Sequence, residues 1–341
     1  MGSRSMYLRI LKMIFINNTY STDPTFNLAF EEYVFESMDQ NETYFMLWQN
    51  DHAIIVGKHQ NTIEEINQDF VKEQGIKVVR RLTGGGAVYH DLGNLNFTFI
   101  VNNDSGKPFD FQSFTRPVVK ALQSLGVNAE FNGRNDITID GKKFSGNSQY
   151  AKRGRVLHHG TVLFNSKLDT VQNALKVKKD KIESKGVKSV KSRVTNIADY
   201  LEPGFTLEDF KKALVSYMFE DGELEERSLT EADITAIKKL QEEKYATWEW
   251  NYGRSPEYNL RRERKYPCGL VTVLMTVDRG IIKDIHFYGD FFGNGDITKL
   301  EKQLVGSKPE EGVLRRLLKD NDLSDYINGM TDDEFIDLML Y

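Results

Sequence analysis

Two apolar periods alternate along the chain, and the switches between them mark its elements. Phe26, Ala29, Phe30, Tyr33 and Val34 recur at helical spacing behind Asp23-Pro24. That pattern predicts an amphipathic helix with Asp23 as N-cap and Pro24 at the first helical position, its apolar stripe facing a core. Tyr44 to Trp48 and Ala53 to Val56 read as strands, and the polar break Gln49-Asn50-Asp51-His52 between them suits a hairpin connection. After the polar loop Gly57-Lys58-His59-Gln60-Asn61, Thr62 to Gln74 predicts a helix that Gly75 ends. Ile76 to Val79 then predicts a strand that delivers Arg80 and Arg81. Leu95 to Val101 reads as a strand, and Phe111 to Leu125 as a helix closed by Gly126, with Pro117 in its middle. Asp136 to Asp140 and Lys142 to Ser145 flank a turn at Gly141, and Leu157 to Phe164 is a further strand. Short strands interleaved with helices predict a mixed sheet covered by helices.

Beyond the helical patterns Leu207 to Phe219 and Thr230 to Tyr245, the texture changes at Trp248-Glu249-Trp250-Asn251-Tyr252-Gly253-Arg254-Ser255-Pro256. Two strands follow, Leu270 to Val277 and Ile281 to Phe287, turned at Asp278-Arg279-Gly280. Helices are predicted near Ile297 to Leu304, Glu310 to Leu318 and Asp332 to Leu340. The expected class is α+β: a large mixed-sheet domain over 1–247, a linker over 248–257, and a small α/β accessory domain over 258–341. The stretch Leu300 to Tyr341 carries ten Asp or Glu against five Lys or Arg, so the accessory domain is acidic.

Composition narrows the function classes. The chain has 341 residues, 40% hydrophobic, enough to fill a core. A formal net charge of -5 gives no global positive field for nucleic acid. No apolar run approaches the roughly 18 to 20 residues that span a bilayer, and a secretory leader is not evident, so no membrane partner and a cytoplasmic location are expected. The opening Met1-Gly2-Ser3-Arg4-Ser5 looks like an engineered appendage before a native start at Met6. A single cysteine, Cys268, rules out an intrachain disulfide and a cysteine-rich metal site.

Candidate chemistry lies in three glycine-associated motifs. Arg80-Arg81-Leu82-Thr83-Gly84-Gly85-Gly86-Ala87-Val88-Tyr89-His90-Asp91 follows a predicted strand. Adjacent glycines let backbone lie against an elongated ligand, and two guanidinium groups match anionic oxygens; the same glycines also serve a tight turn. Leu92-Gly93-Asn94 closes the motif with an amide donor and acceptor. Asp136 suits Mg2+ beside phosphate oxygens, and equally an Asx-turn. In Lys143-Phe144-Ser145-Gly146-Asn147-Ser148, strand alternation sends Phe144 to the core and Lys143 with Ser145 toward a cleft. There Lys143 would neutralise a phosphate or a polarised carbonyl, unless it is an exposed edge charge like Lys142. In His158-His159-Gly160-Thr161 the imidazoles take opposite faces, a poor joint metal clamp. Gly160 would admit a ligand close to the backbone, and either histidine also fits a structural role. From Lys142 to Arg193 there are 14 Lys or Arg against three Asp or Glu, a solvated face or an attraction for an acidic partner.

Taken in order, Arg80 to Asp91 with Gly93-Asn94, Lys143 to Ser148, and His158 to Thr161 resemble the lipoate-protein ligase A family. This lies within the superfamily of lipoyl ligases and octanoyl transferases, and the likeness runs from the Asp23 to Tyr33 helix through the C-terminal domain. The resemblance implies the fold of biotin and lipoyl ligases. It also implies an enzyme that activates lipoate with ATP and Mg2+ to lipoyl-AMP, releasing pyrophosphate. The lipoyl group would pass to a lysine of apo lipoyl domains, in 2-oxoacid dehydrogenase E2 subunits or glycine-cleavage H protein. By the same resemblance Lys143 is the essential lysine. Arg80, Gly84, Gly85, Gly86, Val88 and His90 match the lipoate-binding positions. Arg80, Asn94, Asp136, Lys143, Ser145, Gly146, His159, Gly160 and Thr161 match the ATP and adenylate positions, with Asp136 also at the magnesium. Asn147-Ser148 departs from the small pair usual after the glycine. Three alternatives compete: an ATP-independent lipoyl or octanoyl transferase, a noncatalytic lipoate-binding sensor, and a biotin ligase. Transferases that work through an acyl-cysteine need a thiol beside the lysine, whereas Cys268 falls in the accessory domain, and the motif combination points away from biotin.

Overall fold

The computed structural model describes residues 12–102, 111–132, 135–175, 193–219, 223–253 and 258–340. The opening residues, Asn103 to Gly106, the Gly133-Arg134 pair, the basic residues from Lys176 to Ser192, and Arg254 to Pro256 lie outside them.

The strands in chain order are β1 (Lys12–Asn17), β2 (Tyr44–Trp48), β3 (Ala53–Val56), β4 (Lys77–Arg80), β5 (Val88–His90), β6 (Asn94–Asn102) and β7 (Ala129–Asn132). They continue with β8 (Asp136–Ile139), β9 (Lys142–Lys152), β10 (Arg155–Leu163), β11 (Glu223–Glu226), β12 (Leu260–Tyr266), β13 (Gly269–Asp278) and β14 (Ile281–Gly289). The chain forms two compact units. The first comprises Met1–Ile54, Asn67–Val79 and Val88–Thr247; the second comprises Ile55–Ile66, Arg80–Ala87 and Trp248–Tyr341. Two short N-terminal segments count with the second, and Trp248–Asn251, expected as linker, is a helical turn.

The first unit is built on an eight-stranded sheet of order β11-β1-β2-β6-β10-β9-β8-β7. It is mixed: β1 runs parallel to β2 and β11, while the pairs from β2 to β7 are antiparallel. Phe45, Phe97, Phe99 and Phe144 from its strands pack with Phe114, Val118 and Leu122 of the helix Phe111–Ser124 and Phe210 and Leu214 of Leu207–Met218. Burying such side chains contributes about 1.5–3 kcal/mol each. The helix Pro24–Glu36 begins as its sequence demands, with the Asp23 carboxylate accepting from Thr25 N and Pro24 at the first turn.

The second unit has its own core. The antiparallel sheet β12-β13-β14 carries Val271, Val273 and Phe287 against Ile297, Leu300, Leu314 and Phe335 of three helices. The β13–β14 turn has positive φ at both Arg279 and Gly280, and the β8–β9 turn likewise at Asp140 and Gly141, the two-residue hairpin geometry that matches strand twist.

Two expectations fail locally. Tyr44–Trp48 and Ala53–Val56 do not form a hairpin, because β3 belongs to a separate sheet of order β4-β3-β5. The polar break between them is anchored by one residue: Asn50 is fully buried and its side chain is tied to Asn27, while Asp51 is exposed. Thr62 to Gln74 is two helices, Thr62–Glu65 and Gln68–Glu73, since Asn67 leaves helical geometry to cap the second by accepting from Phe70 N.

Candidate functional site

The arginine and glycine motif is closed on its own unit. Arg80 is 1% exposed, and its guanidinium is spread over protein acceptors. Nε donates to Trp250 O at 3.0 Å, Nη1 to Gly57 O and Gln60 O at 2.9 and 2.7 Å, and Nη2 to Thr62 Oγ1 at 2.6 Å. A buried guanidinium must be hydrogen-bonded, and here backbone carbonyls and the Thr62 hydroxyl supply the partners. Arg80, which the resemblance puts at lipoate and nucleotide, joins the 57–62 segment to 250–251 within its unit. Arg81 does related work: Nη2 donates to Gly84 O and Gly86 O at 2.6 and 2.9 Å, Nε to Thr83 Oγ1, and Nη1 to Ile55 O.

The three glycines then divide. A Cβ on Gly84 would stand 2.3 Å from Phe291 O, and Gly85 sits at φ +92° with its carbonyl against Gly57. Their missing side chains serve the protein's own packing. Only Gly86 has open space, nothing lying within 4 Å of an added Cβ.

Chemistry of a different kind gathers on β8, β9 and β10 of the first unit. Asp136 pairs with Gly146, Ile137 with Ser145, and Thr138 with Lys143, so Phe144 is an extra residue in β9. This bulge breaks the alternation that would have put Ser145 beside Lys143 on one open face. Ser145 is instead buried, its Oγ accepting from Asn147 Nδ2 at 3.2 Å. Lys143 is half-exposed and its ammonium lies 2.7 Å from Asp136 Oδ1. The stem folds back across Gly146, where a Cβ would stand 2.9 Å from Nζ. Thr161 Oγ1 accepts from Gly146 N at 3.2 Å, which anchors that glycine to β10. Thr195 N donates to Lys143 O at 2.9 Å, so the 194–195 segment, which the sequence did not single out, lines β9 at the lysine.

The paired histidines separate as their alternation requires. His158 is fully buried among Phe97, Phe99, Phe111 and Phe114 and is bonded to Gln149 Nε2 and Asn147 Oδ1. Burial holds its imidazole well below the ordinary histidine range, so it is a neutral core residue. His159 Nδ1 meets Glu31 Oε1 at 2.9 Å. Glu31, on a helix face expected to be plain core, also accepts from Thr98 Oγ1 at 2.7 Å, which accepts from Trp48 Nε1 at 2.9 Å. At Gly160 an added Cβ would meet Asn147 Oδ1 at 2.2 Å and Phe97 Cζ at 2.3 Å, so its bare backbone lets these side chains pack.

The Asp91 carboxylate accepts from Gly93 N and Lys167 N, fixing the turn that presents Asn94. Asn94 is fully buried, and among the described residues its Oδ1 has no partner, nor has Thr138 Oγ1 opposite Lys143. A buried polar atom left without a partner costs stability. His90 is buried on β5, its Nδ1 facing Asn50, and Val88 begins that strand. Among the described residues no three His, Cys, Asp or Glu are grouped to hold a metal. Asp136 alone fits the sparse protein contribution of a Mg2+ site that draws other oxygens from phosphate and water. Cys268 is buried in the second unit's core, as a small hydrophobe. No helix among the described residues is long and apolar enough to cross a membrane.

Comparison with known proteins fits this division. The family model of the lipoyl protein ligase A/B catalytic domain matches residues 23–219, and that of the bacterial lipoate protein ligase C-terminus matches 255–339. The lipoate-protein ligase LplJ of Bacillus subtilis is 48% identical over 330 residues, covering 96% of this chain and 100% of its own. The crystal structure of P. falciparum LipL1 in complex with lipoate superposes with a TM-score of 0.79 at 25% identity, covering 96% of this chain and 98% of that one. A lipoate-protein ligase A bound with ATP gives a TM-score of 0.60 at 29% identity, covering 71% of this chain and 98% of that one. The chain belongs to the lipoate-protein ligase A family of enzymes.

Proposed function

We propose that the protein joins lipoate to ATP, releasing pyrophosphate, and then transfers the lipoyl group from lipoyl-AMP to a lysine of an apo lipoyl domain. Family membership supports the reaction class, and the Lys143 arrangement supports the chemistry. In the first step a lipoate carboxylate oxygen attacks the α-phosphorus and pyrophosphate departs. In the second the carrier amine attacks the mixed-anhydride carbonyl and AMP departs. Both steps place negative charge on oxygens near one point, and a preorganised ammonium lowers both barriers without being acylated. Lys143 has the right form for this: a flexible stem, a counter-ion at 2.7 Å to hold it, and a glycine beneath it. Asp136 would hold Mg2+, which supplies charge neutralisation at the phosphates.

Asn94, with its buried unpartnered Oδ1, is assigned to the adenylate, along with Gly146, Thr161 and His159. Gly86, Val88 and His90 are assigned to lipoate. The carrier is an E2 or H-protein lipoyl domain, and the basic residues around Lys142, Lys152, Arg153 and Lys167 favour an acidic face on it. The test is to incubate the protein with ATP, Mg2+, lipoate and apo lipoyl domain while following carrier mass and pyrophosphate. Lipoylation strictly dependent on ATP, with pyrophosphate released, is expected. Carrier modified from a preformed acyl donor without ATP would favour the transferase reading, and binding of lipoate with no carrier modified would favour the sensor.

A further inference from the structure

A row of buried amides leads to His90 with a single direction of donation. Asn18 Nδ2 donates to Asn27 Oδ1 at 2.6 Å. Asn27 Nδ2 donates to Asn50 Oδ1 at 2.9 Å and to Gln49 O at 2.7 Å. With its oxygen so committed, Asn50 turns its Nδ2 toward His90 Nδ1, 3.1 Å away. Asn27 and Asn50 are fully buried, Asn18 and His90 nearly so. An amide nitrogen is only a donor, so the imidazole nitrogen facing it must be an acceptor, and a neutral ring then carries its proton on Nε2.

The neighbouring strand residue shows the same logic. His52 Nε2 lies 2.8 Å from Gln74 O, a pure acceptor, so it carries the proton, and Tyr89 OH donates to His52 Nδ1 at 2.9 Å. Burial pushes the Tyr89 hydroxyl up to about 12, so it stays protonated and remains a donor.

We propose that Asn27 and Asn50 are positioning residues that lock His90 in the Nε2–H tautomer, making it a neutral hydrogen-bond donor to an oxygen of the acyl ligand and not a proton-accepting base. The assignment rests on the reading of His90 as a lipoate-binding residue. Its chemistry is economical, because a carboxylate, a mixed anhydride and a phosphate all offer acceptors, and a ring with the opposite tautomer would turn a lone pair on them. Asn27 acts at two removes, by denying Asn50 the flipped amide that would reverse the donation.

The test uses the full chain. Long-range 1H–15N spectra assign the His90 tautomer directly, and wild type should show Nε2 protonated and Nδ1 bare. Asn50→Asp, nearly isosteric but accepting only, should move the proton to Nδ1 or charge the ring. Pyrophosphate release with lipoate should then fall roughly 100-fold, the lower end of what one lost donor costs. Asn27→Asp removes the donor that fixes Asn50 and should give mixed tautomers with a smaller loss, and Asn50→Gln should recover part of the signal. A wild-type ring protonated on Nδ1 overturns the proposal, as does an Asn50→Asp enzyme that folds, shifts its tautomer and turns over undiminished. If wild type itself releases no pyrophosphate with lipoate, the functional reading fails while the tautomer result still stands or falls alone.

Discussion

The arginine-flanked glycine loop and the Lys143 strand are opposites in how they treat polar groups. In the loop, two guanidinium groups meet backbone carbonyls and hydroxyls of their own unit, and two of three glycines are pressed on backbone. Around Lys143 the charges are half-exposed, and the buried Thr138 hydroxyl opposite it lacks a partner among the described residues. Polar groups that are satisfied internally build a scaffold; polar groups held short of satisfaction are available to a ligand. The louder sequence signal is thus the more structural of the two.

The contrast breaks most visibly at Arg80. Arg80→Ala orphans several buried acceptors, each worth about 1 to 3 kcal/mol, so thermal unfolding should show a loss of at least about 3 kcal/mol. Arg80→Lys should recover little, since three donors on a point charge cannot replace the planar fork. An Arg80→Ala enzyme with unchanged melting and lost lipoate affinity would make it a ligand contact. Next come the packed glycines: Gly84→Ala and Gly160→Ala each force a neighbour aside and should cost about 1–3 kcal/mol by denaturant titration.

Acid sensitivity gives a smaller effect. The folded His158 pKa lies below its unfolded value near 6.5, so the unfolded chain binds the extra proton. Stability from this group is intact above about pH 6.5 and falls as pH drops below it, by up to about 1.4 kcal/mol per pH unit. His158→Gln should flatten that part of the melting-temperature profile, and an unchanged slope would place the sensitivity elsewhere. Smallest in stability is Gly86→Ala, within about 0.5 kcal/mol, because nothing crowds the site. Its effect should appear in the KM for lipoate, and an unaltered KM would remove Gly86 from the ligand surface.

Much of this was legible from the residue pattern, for physical reasons. The Asp23-Pro24 cap, the hairpin at Gly141 and the helices over Leu207–Met218 and Ile297–Leu304 rest on local rules, and each forms. Strand β12 escaped because Leu-Arg-Arg-Glu-Arg-Lys-Tyr has no apolar alternation and is set by pairing with β13. The bulge at Phe144 was also hidden, since one extra residue leaves no trace in composition, and it moved Ser145 inward. Glu31 and Asn50 were missed because a buried polar residue inside an apolar stripe or a polar break looks like its neighbours until its partners, distant in sequence, are in place.

The central claim is that the Lys143 ammonium stabilises charge where the acyl group and phosphate meet in both half-reactions. Single-turnover kinetics of Lys143→Ala test it, measuring pyrophosphate release with lipoate and then carrier lipoylation from supplied lipoyl-AMP. Both rates should fall by about 100-fold or more, near 3 kcal/mol, with melting unchanged because the pair with Asp136 is half-exposed. Wild-type rates in both steps from a folded variant would contradict the account.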